Sequence, residues 1–229
     1  MFAALESEKQ GDFMPPFPKI ITILIADDHP GWIEGVRTII NKASDMQVVG
    51  EVQDGNQIKQ KVAELQPDVL LLDLVMPNHN PIELEKWVRN NYPETITLVL
   101  TAHHRDAYLA DMMDAGATGY LDKKLKGNDL LNAIRRAARG EWLYDKEQME
   151  RARLWREEVG RKWESLSLRE REVLKLLTNG ADNKEIAASL NVSINTVEKH
   201  LKNIYKKLGV TSRSEAILWW VEQGTDFRT

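Results

Sequence analysis

Between residues 20 and 140, short apolar runs alternate with stretches of helical periodicity, and four of these runs lead into a polar side chain. Asp27 and Asp28 follow the first run, Asp73 the second, Thr101 the third and Lys123 the fourth. Strands joined by helices form a parallel sheet whose C-terminal strand ends converge on one edge. Three carboxylates, a hydroxyl and an ammonium would meet there, which is the chemistry needed to hold Mg²⁺ and phosphorylate an aspartate.

This alternation predicts an α/β domain of five βα units, a five-stranded parallel sheet with helices on both faces in a flavodoxin-like arrangement. The predicted strands are 20–26, 47–51, 69–73, 96–101 and 117–121. The predicted helices lie near 31–43, 56–65, 82–90, 105–115 and 128–139.

Residues 164–229 have a different character and predict a small all-α domain. Capping-box patterns begin at Ser167, Asp182 and Ser212, and Ser193 is the expected cap of a further helix. Only Asn191 and Val192 separate the second helix from the third, a spacing typical of a helix-turn-helix.

The remaining segments are an expected flexible tail, residues 1–19, and a connector, residues 141–163. The connector predicts an amphipathic helix from its apolar stripe, although Gly160 weakens that prediction. The stripe consists of Met149, Ala152, Trp155, Val159 and Trp163.

Composition excludes several classes of protein. The chain has no cysteine, which excludes disulfides and thiolate zinc sites and is compatible with a reducing cytoplasm. No apolar run approaches about 18 residues and the N-terminus lacks a secretory pattern, so we expect a cytoplasmic protein without a membrane partner. The spacing of His29, His79, His103 and His104 does not favour a histidine metal site.

Charge is unevenly distributed along a chain whose net charge is −4. From residue 199 to residue 214 there are five basic residues and no acidic residue. This basic stripe indicates a polyanionic partner such as DNA, and the alternative is an ordinary solvated helix face.

Two sets of motifs resemble a known family. LIADDHP, LLLDLVMP, LVLTAH and AGATGYLDK resemble the signature segments of the receiver domain of two-component response regulators. Residues 164–223 resemble the LuxR-type helix-turn-helix. The chain is therefore similar to response regulators of the NarL/FixJ class over nearly its whole length.

The resemblance implies a role for each polar residue at the strand ends. A histidine kinase would phosphorylate Asp73, and Lys123 and Thr101 would contact the phosphoryl group. Tyr120 matches the switch aromatic of the family. Mg²⁺ would be held by Asp27, Asp28, Asp73 and the backbone carbonyl of Val75. Unusual residues near the site, Val75, His103 and Lys124, leave the lifetime of the phosphoryl group open.

The third helix of the C-terminal domain has the composition of a DNA-reading helix. Val197, Leu201, Ile204 and Leu208 form its inward stripe, and Asn195 lies on the opposite polar face. The resemblance implies base contacts by Glu198, Lys199 and Lys202. Phosphate contacts are expected from Asn183, Lys184, Thr196, Lys206 and Lys207.

The last helix carries more apolar residues than one core can use, namely Ile217, Leu218, Trp219, Trp220 and Val221. We expect one side to pack on the domain and the other to meet a second copy, as in the family. The alternative is that the tryptophans cover the connector.

Two rival functions remain open from the sequence. An Asp-nucleophile phosphatase would need an additional general acid near Asp73, for example an Asp two residues on, where Val75 stands. A DNA binder with a vestigial receiver would not need the intact set of polar residues. We therefore expect no enzyme activity beyond self-directed aspartyl phosphorylation and dephosphorylation.

Overall fold

The computed structural model describes residues 20–102 and 105–223. Within these ranges, five parallel strands form one sheet in the order β2-β1-β3-β4-β5. The α/β prediction is confirmed, because every strand pair is parallel and each connection contains a helix. The strands are β1 Ile21–Ala26, β2 Met46–Val52, β3 Val69–Leu72, β4 Ile96–Thr101 and β5 Gly119–Asp122.

Five helices cover the two faces of this sheet. Helices α1 (Pro30–Ile40) and α5 (Gly127–Ala138) pack on one face through an apolar cluster that includes Ile33 and Ile134. Helices α2 (Ile58–Leu65), α3 (Pro81–Asn91) and α4 (Asp106–Ala115) pack on the other. Helix α1 begins at Pro30, a residue whose fixed φ suits the first helical position.

The connector crosses the β5 edge of the sheet before it becomes helical. The Leu143 N–H donates to the Thr118 carbonyl at 2.9 Å, and Tyr144 is buried. The helical part consists of α6 (Lys146–Trp155), a π-helical turn (Arg156–Gly160) and α7 (Arg161–Ser165).

The π-helical turn changes which way the apolar stripe faces. Ala152 and Trp155, before the turn, join the α/β core, whereas Trp163, after it, joins the C-terminal core. A π turn adds a residue to the helical repeat, so one regular stripe comes to face two different partners. Met149 differs from the prediction, since it is 44 % exposed.

Helices α8 (Leu168–Thr178), α9 (Asn183–Ser189), α10 (Ile194–Leu208) and α11 (Arg213–Gln223) form the C-terminal domain. Of the three predicted capping boxes, those at the starts of α8 and α9 are formed. At the third, Ser212 Oγ accepts from the Glu215 N–H at 3.2 Å, and Ser193 caps α10 through the Thr196 N–H. Gly209, at φ 74°, ends α10 in the left-handed conformation that favours glycine. Among the described helices, none combines the length and apolar character required to cross a bilayer.

Candidate phosphoryl site and nucleic-acid interface

The backbone at the strand ends brings three of the predicted polar residues together. The Asp27 N–H donates to the Val52 carbonyl at 3.0 Å, the Asp73 N–H to Ala26 at 2.9 Å and the Lys123 N–H to Thr101 at 3.0 Å. These bonds continue the ladder of the parallel sheet past the last strand residues. The side chains that follow the strands are therefore fixed at the same edge.

Lys123 bridges two buried carboxylates at this edge. Its Nζ lies 2.6 Å from Asp27 Oδ2 and 2.8 Å from Asp73 Oδ2. Asp27 has no exposed surface and Asp73 is 3 % exposed. Burial raises the pKa of Asp73, and the hydrogen bond and charge of Lys123 oppose that shift only partly. Additional positive charge at this edge would therefore favour the carboxylate form.

The acidic residues offer donor atoms suited to a divalent cation. One ligand atom from each of Asp27, Asp28, His29 and Asp73 lies within 4.8 Å of all the others. Asp27 Oδ2 and Asp28 Oδ1 are shielded from water and make no hydrogen bond within the described part of the chain, although Lys123 and His29 lie close to them. Carboxylate oxygens are the ligands that Mg²⁺ prefers, so this donor set fits the ion.

Two of the predicted metal and switch residues lie beside this cluster. The Val75 N–H is 3.4 Å from Asp73 Oδ1, and the Val75 side chain is exposed. Thr101 is fully buried at the end of β4. His103 and His104 lie outside the described residues.

Tyr120 is buried beneath α4 and α6. It is 2 % exposed and belongs to the same apolar cluster as Tyr108 and Trp155. Burial raises the pKa of the Tyr120 hydroxyl, and the neighbouring Tyr108 adds to the shift. The Tyr120 backbone carbonyl accepts a 2.7 Å hydrogen bond from the Gln148 side chain of α6.

Helix α6 packs on α4 through contacts that the sequence analysis did not anticipate. Arg151 donates twice to Asp106 Oδ1, at 2.8 and 2.5 Å. Arg156, in the π turn, donates to both carboxylate oxygens of Asp114, at 3.0 and 2.6 Å. The available signal in the sequence was that α4 carries three aspartates and no basic residue, while the connector that follows offers arginines.

The polar face predicted for the nucleic-acid interface is exposed on α10. Asn195, Glu198, Lys199, Lys202 and Lys206 lie on this face, whereas the four residues of the inward stripe are buried. Lys184 is exposed at the start of α9, and Thr196 is half-buried with its hydroxyl 2.8 Å from Ser193 Oγ.

Two residues predicted to contact phosphates are already engaged within the domain. Lys207 Nζ lies 2.7 Å from Glu170 Oε2, and Asn183 Oδ1 accepts from Arg213 at 3.3 Å. Burial would raise the pKa of Glu170, but its hydrogen bonds with Lys207 and Ser167 outweigh burial and lower that pKa. Lys207 therefore holds the start of α8 against α10, and Arg213, which belongs to the predicted basic stripe, donates to Asn183 and to the Ala181 carbonyl.

The tryptophans of α11 belong to the core of the C-terminal domain. Trp219 is 9 % and Trp220 3 % exposed, and the Trp220 and Trp163 ring centroids are 5.4 Å apart. Ile217 is partly buried, whereas Leu218 and Val221 are each 55 % exposed. Both tryptophans therefore lie on the side of α11 that packs on the domain, and Trp220 covers Trp163 of the connector, as the alternative interpretation of these residues predicted.

Comparison with known proteins matches both domains to families. The response regulator receiver domain family matches residues 23–135, and the family of bacterial regulatory proteins of the luxR type matches residues 164–220. The response regulator protein VraR of Staphylococcus aureus is 32 % identical over 199 residues, which cover 87 % of this chain and 95 % of VraR.

Solved structures of response regulators resemble the chain as well. The RcsB response regulator of Salmonella typhimurium has a TM-score of 0.58 at 28 % identity and covers 88 % of this chain and 99 % of its own. A structure of an RcsB–DNA complex has a TM-score of 0.57 at 28 % identity, with 89 % and 99 % coverage. With a receiver domain followed by a LuxR-type helix-turn-helix, this chain belongs to the DNA-binding response regulators of two-component systems, in the NarL/FixJ family.

Proposed function

We propose that Asp73 accepts a phosphoryl group from a histidine kinase and that this modification controls DNA binding by the C-terminal domain. The observation that carries the proposal is the contact of Lys123 with Asp27 and Asp73 at the strand ends. A buried carboxylate beside an ammonium and further carboxylates is the arrangement needed to accept a phosphoryl group.

Each residue of the site has a distinct task in this proposal. Asp73 is the nucleophile, Lys123 balances the charge of the phosphoryl oxygens, and Thr101 donates its hydroxyl to them. Mg²⁺ held by Asp27, Asp28, Asp73 and the Val75 carbonyl would neutralise charge on the phosphoryl group. The reaction is directed at the chain itself and does not make the protein a classical enzyme.

The connection to the C-terminal domain runs through α6. The Gln148 hydrogen bond joins α6 to the switch residue Tyr120, and Trp155 is buried against the receiver core. A change at Thr101 that moves Tyr120 would therefore change how firmly α6 is held.

At the DNA end, we assign base contacts to Glu198, Lys199 and Lys202 and phosphate contacts to Lys184 and Lys206. Phosphate contacts also come from Asn183, Thr196 and Lys207 when these side chains leave their present partners within the domain. The exposed apolar residues Leu218 and Val221 support a homodimer that binds a two-fold operator. We place this regulator in the cytoplasm.

The proposed function is tested by phosphorylation of the purified full-length chain. A small phosphodonor with Mg²⁺ should add one phosphate, about 80 Da, to the wild type but not to the Asp73→Asn variant, which lacks the charged nucleophile. Asp68→Asn is a matched control, because Asp68 is bound to Thr22 away from the site. Equal labelling of the Asp73→Asn variant would refute the assignment.

A further inference from the structure

A cavity of about 580 Å³ opens above the phosphoryl site. Asp73 and Lys123 line its inner end, and its walls include Trp32, Val75 and Ala102. Pro30 and His29 also line it, with the His29 ring directed at Asp28, 2.6 Å away. The cavity thus has a strongly charged inner end and largely apolar walls.

Trp32 is the aromatic part of this wall, and Lys123 helps to position it. The Lys123 Nζ lies 5.0 Å from the centre of the Trp32 ring, within the range of a cation–π contact. The ring is half-buried and also packs against the core under α1. Trp32 is therefore a fixed surface beside the reacting groups.

The geometry of phosphoryl transfer places the leaving group in this cavity. The attacking Asp73 oxygen and the leaving atom lie roughly in line on opposite sides of phosphorus. Since Asp73 is at the inner end, the leaving group points outward, past Trp32. An apolar wall suits a neutral aromatic leaving group better than an anion, which would lose water without gaining a cation.

We propose that Trp32 is a specificity-determining residue that contacts the imidazole ring of an N-phosphorylated histidine during transfer. The inference rests on the proposed function, in which Asp73 is the acceptor. An Asp73 oxygen forms the bond to phosphorus while the phosphorus–nitrogen bond breaks and its electron pair stays on the ring nitrogen. With a proton on the other nitrogen, the ring leaves as neutral imidazole.

Two small phosphodonors that both contain a phosphorus–nitrogen bond distinguish a contact with the leaving ring from a general effect of Trp32 on the reaction. Phosphoimidazole releases imidazole, and phosphoramidate releases ammonia, which has no ring. An aromatic contact contributes a free energy that corresponds to a rate preference of roughly 2- to 10-fold. Loss of the ring at position 32 should lower labelling by phosphoimidazole relative to phosphoramidate by that factor.

The experiment measures both labelling rates by intact mass, with Mg²⁺, on the full-length chain. Trp32→Leu and Trp32→Met should show the lowered ratio, and Trp32→Phe, which keeps a ring, should restore it. Trp142→Leu is a matched control, because Trp142 is 50 % exposed and its ring lies against that of Tyr144, with the centroids 4.9 Å apart.

Each outcome decides the inference. An unchanged ratio in both Trp32→Leu and Trp32→Met overturns it, as does an equal fall with both donors, which would mean that Trp32 acts only through Lys123. Loss of all labelling in both variants also overturns it, because the ring would then be structural. A wild type that neither donor labels would instead refute the proposed function.

Discussion

Removing two arginine contacts between the connector and the receiver should weaken the docking of α6 without altering the phosphoryl site. The double variant Arg151→Ala and Arg156→Ala deletes the ion pairs with Asp106 and Asp114. Gln148 and the buried Trp155 remain, so α6 should stay docked most of the time.

The expected loss of docking free energy follows from the exposure of these ion pairs. The four side chains are between 35 % and 60 % exposed, and such pairs contribute about 0.2–1 kcal/mol each. The two pairs lie on different turns of α4, so their effects should add. We take about 1 kcal/mol for the two together, which raises the population of the released helix about fivefold.

Amide hydrogen exchange followed by mass spectrometry measures this release directly. Exchange of residues 146–155 should be about fivefold faster in the double variant, while β1 and β3 keep the wild-type rate. Arg153→Ala is the matched control, because Arg153 pairs with Glu150 and Glu157 within the connector itself. Unchanged exchange of residues 146–155, or equal acceleration by Arg153→Ala, would refute the docking argument.

Three further predictions concern the C-terminal domain. Glu170→Gln should lower the free energy of unfolding, measured in urea at pH 7, by about 1.5 kcal/mol. Because folding lowers the Glu170 pKa from 4.5, the difference between variant and wild type should shrink as the pH falls through and below that value. A difference that is constant with pH would contradict it. Leu218→Glu should weaken DNA-bound dimers in ultracentrifugation and leave the melting temperature unchanged, whereas Trp220→Glu should unfold the domain. Normal dimers of a folded Leu218→Glu variant would place the interface elsewhere. Lys206→Ala should weaken binding to all sequences and reduce the salt slope by about one, and Lys199→Ala should relax sequence preference at a cost of roughly 1–3 kcal/mol on the best site. Identical effects across a panel of sequences would refute that division.

Local patterns in the sequence are sufficient to predict the strand edge and the C-terminal helices. Apolar runs that end in Asp27, Asp73, Thr101 and Lys123 specify parallel strands and, through the common direction of those strands, one shared edge. Capping residues and a 3.6-residue period specify the C-terminal helices in the same local way.

Which side of each helix meets a partner depends on tertiary packing. Lys207 reaches Glu170 across 37 positions, and Arg151 reaches Asp106 across 45. A charged side chain on a helix has the same local pattern whether it faces DNA, another helix or water. The choice depends on how helices pack, and the same dependence placed Trp219 and Trp220 in the core and Trp32 beside Lys123.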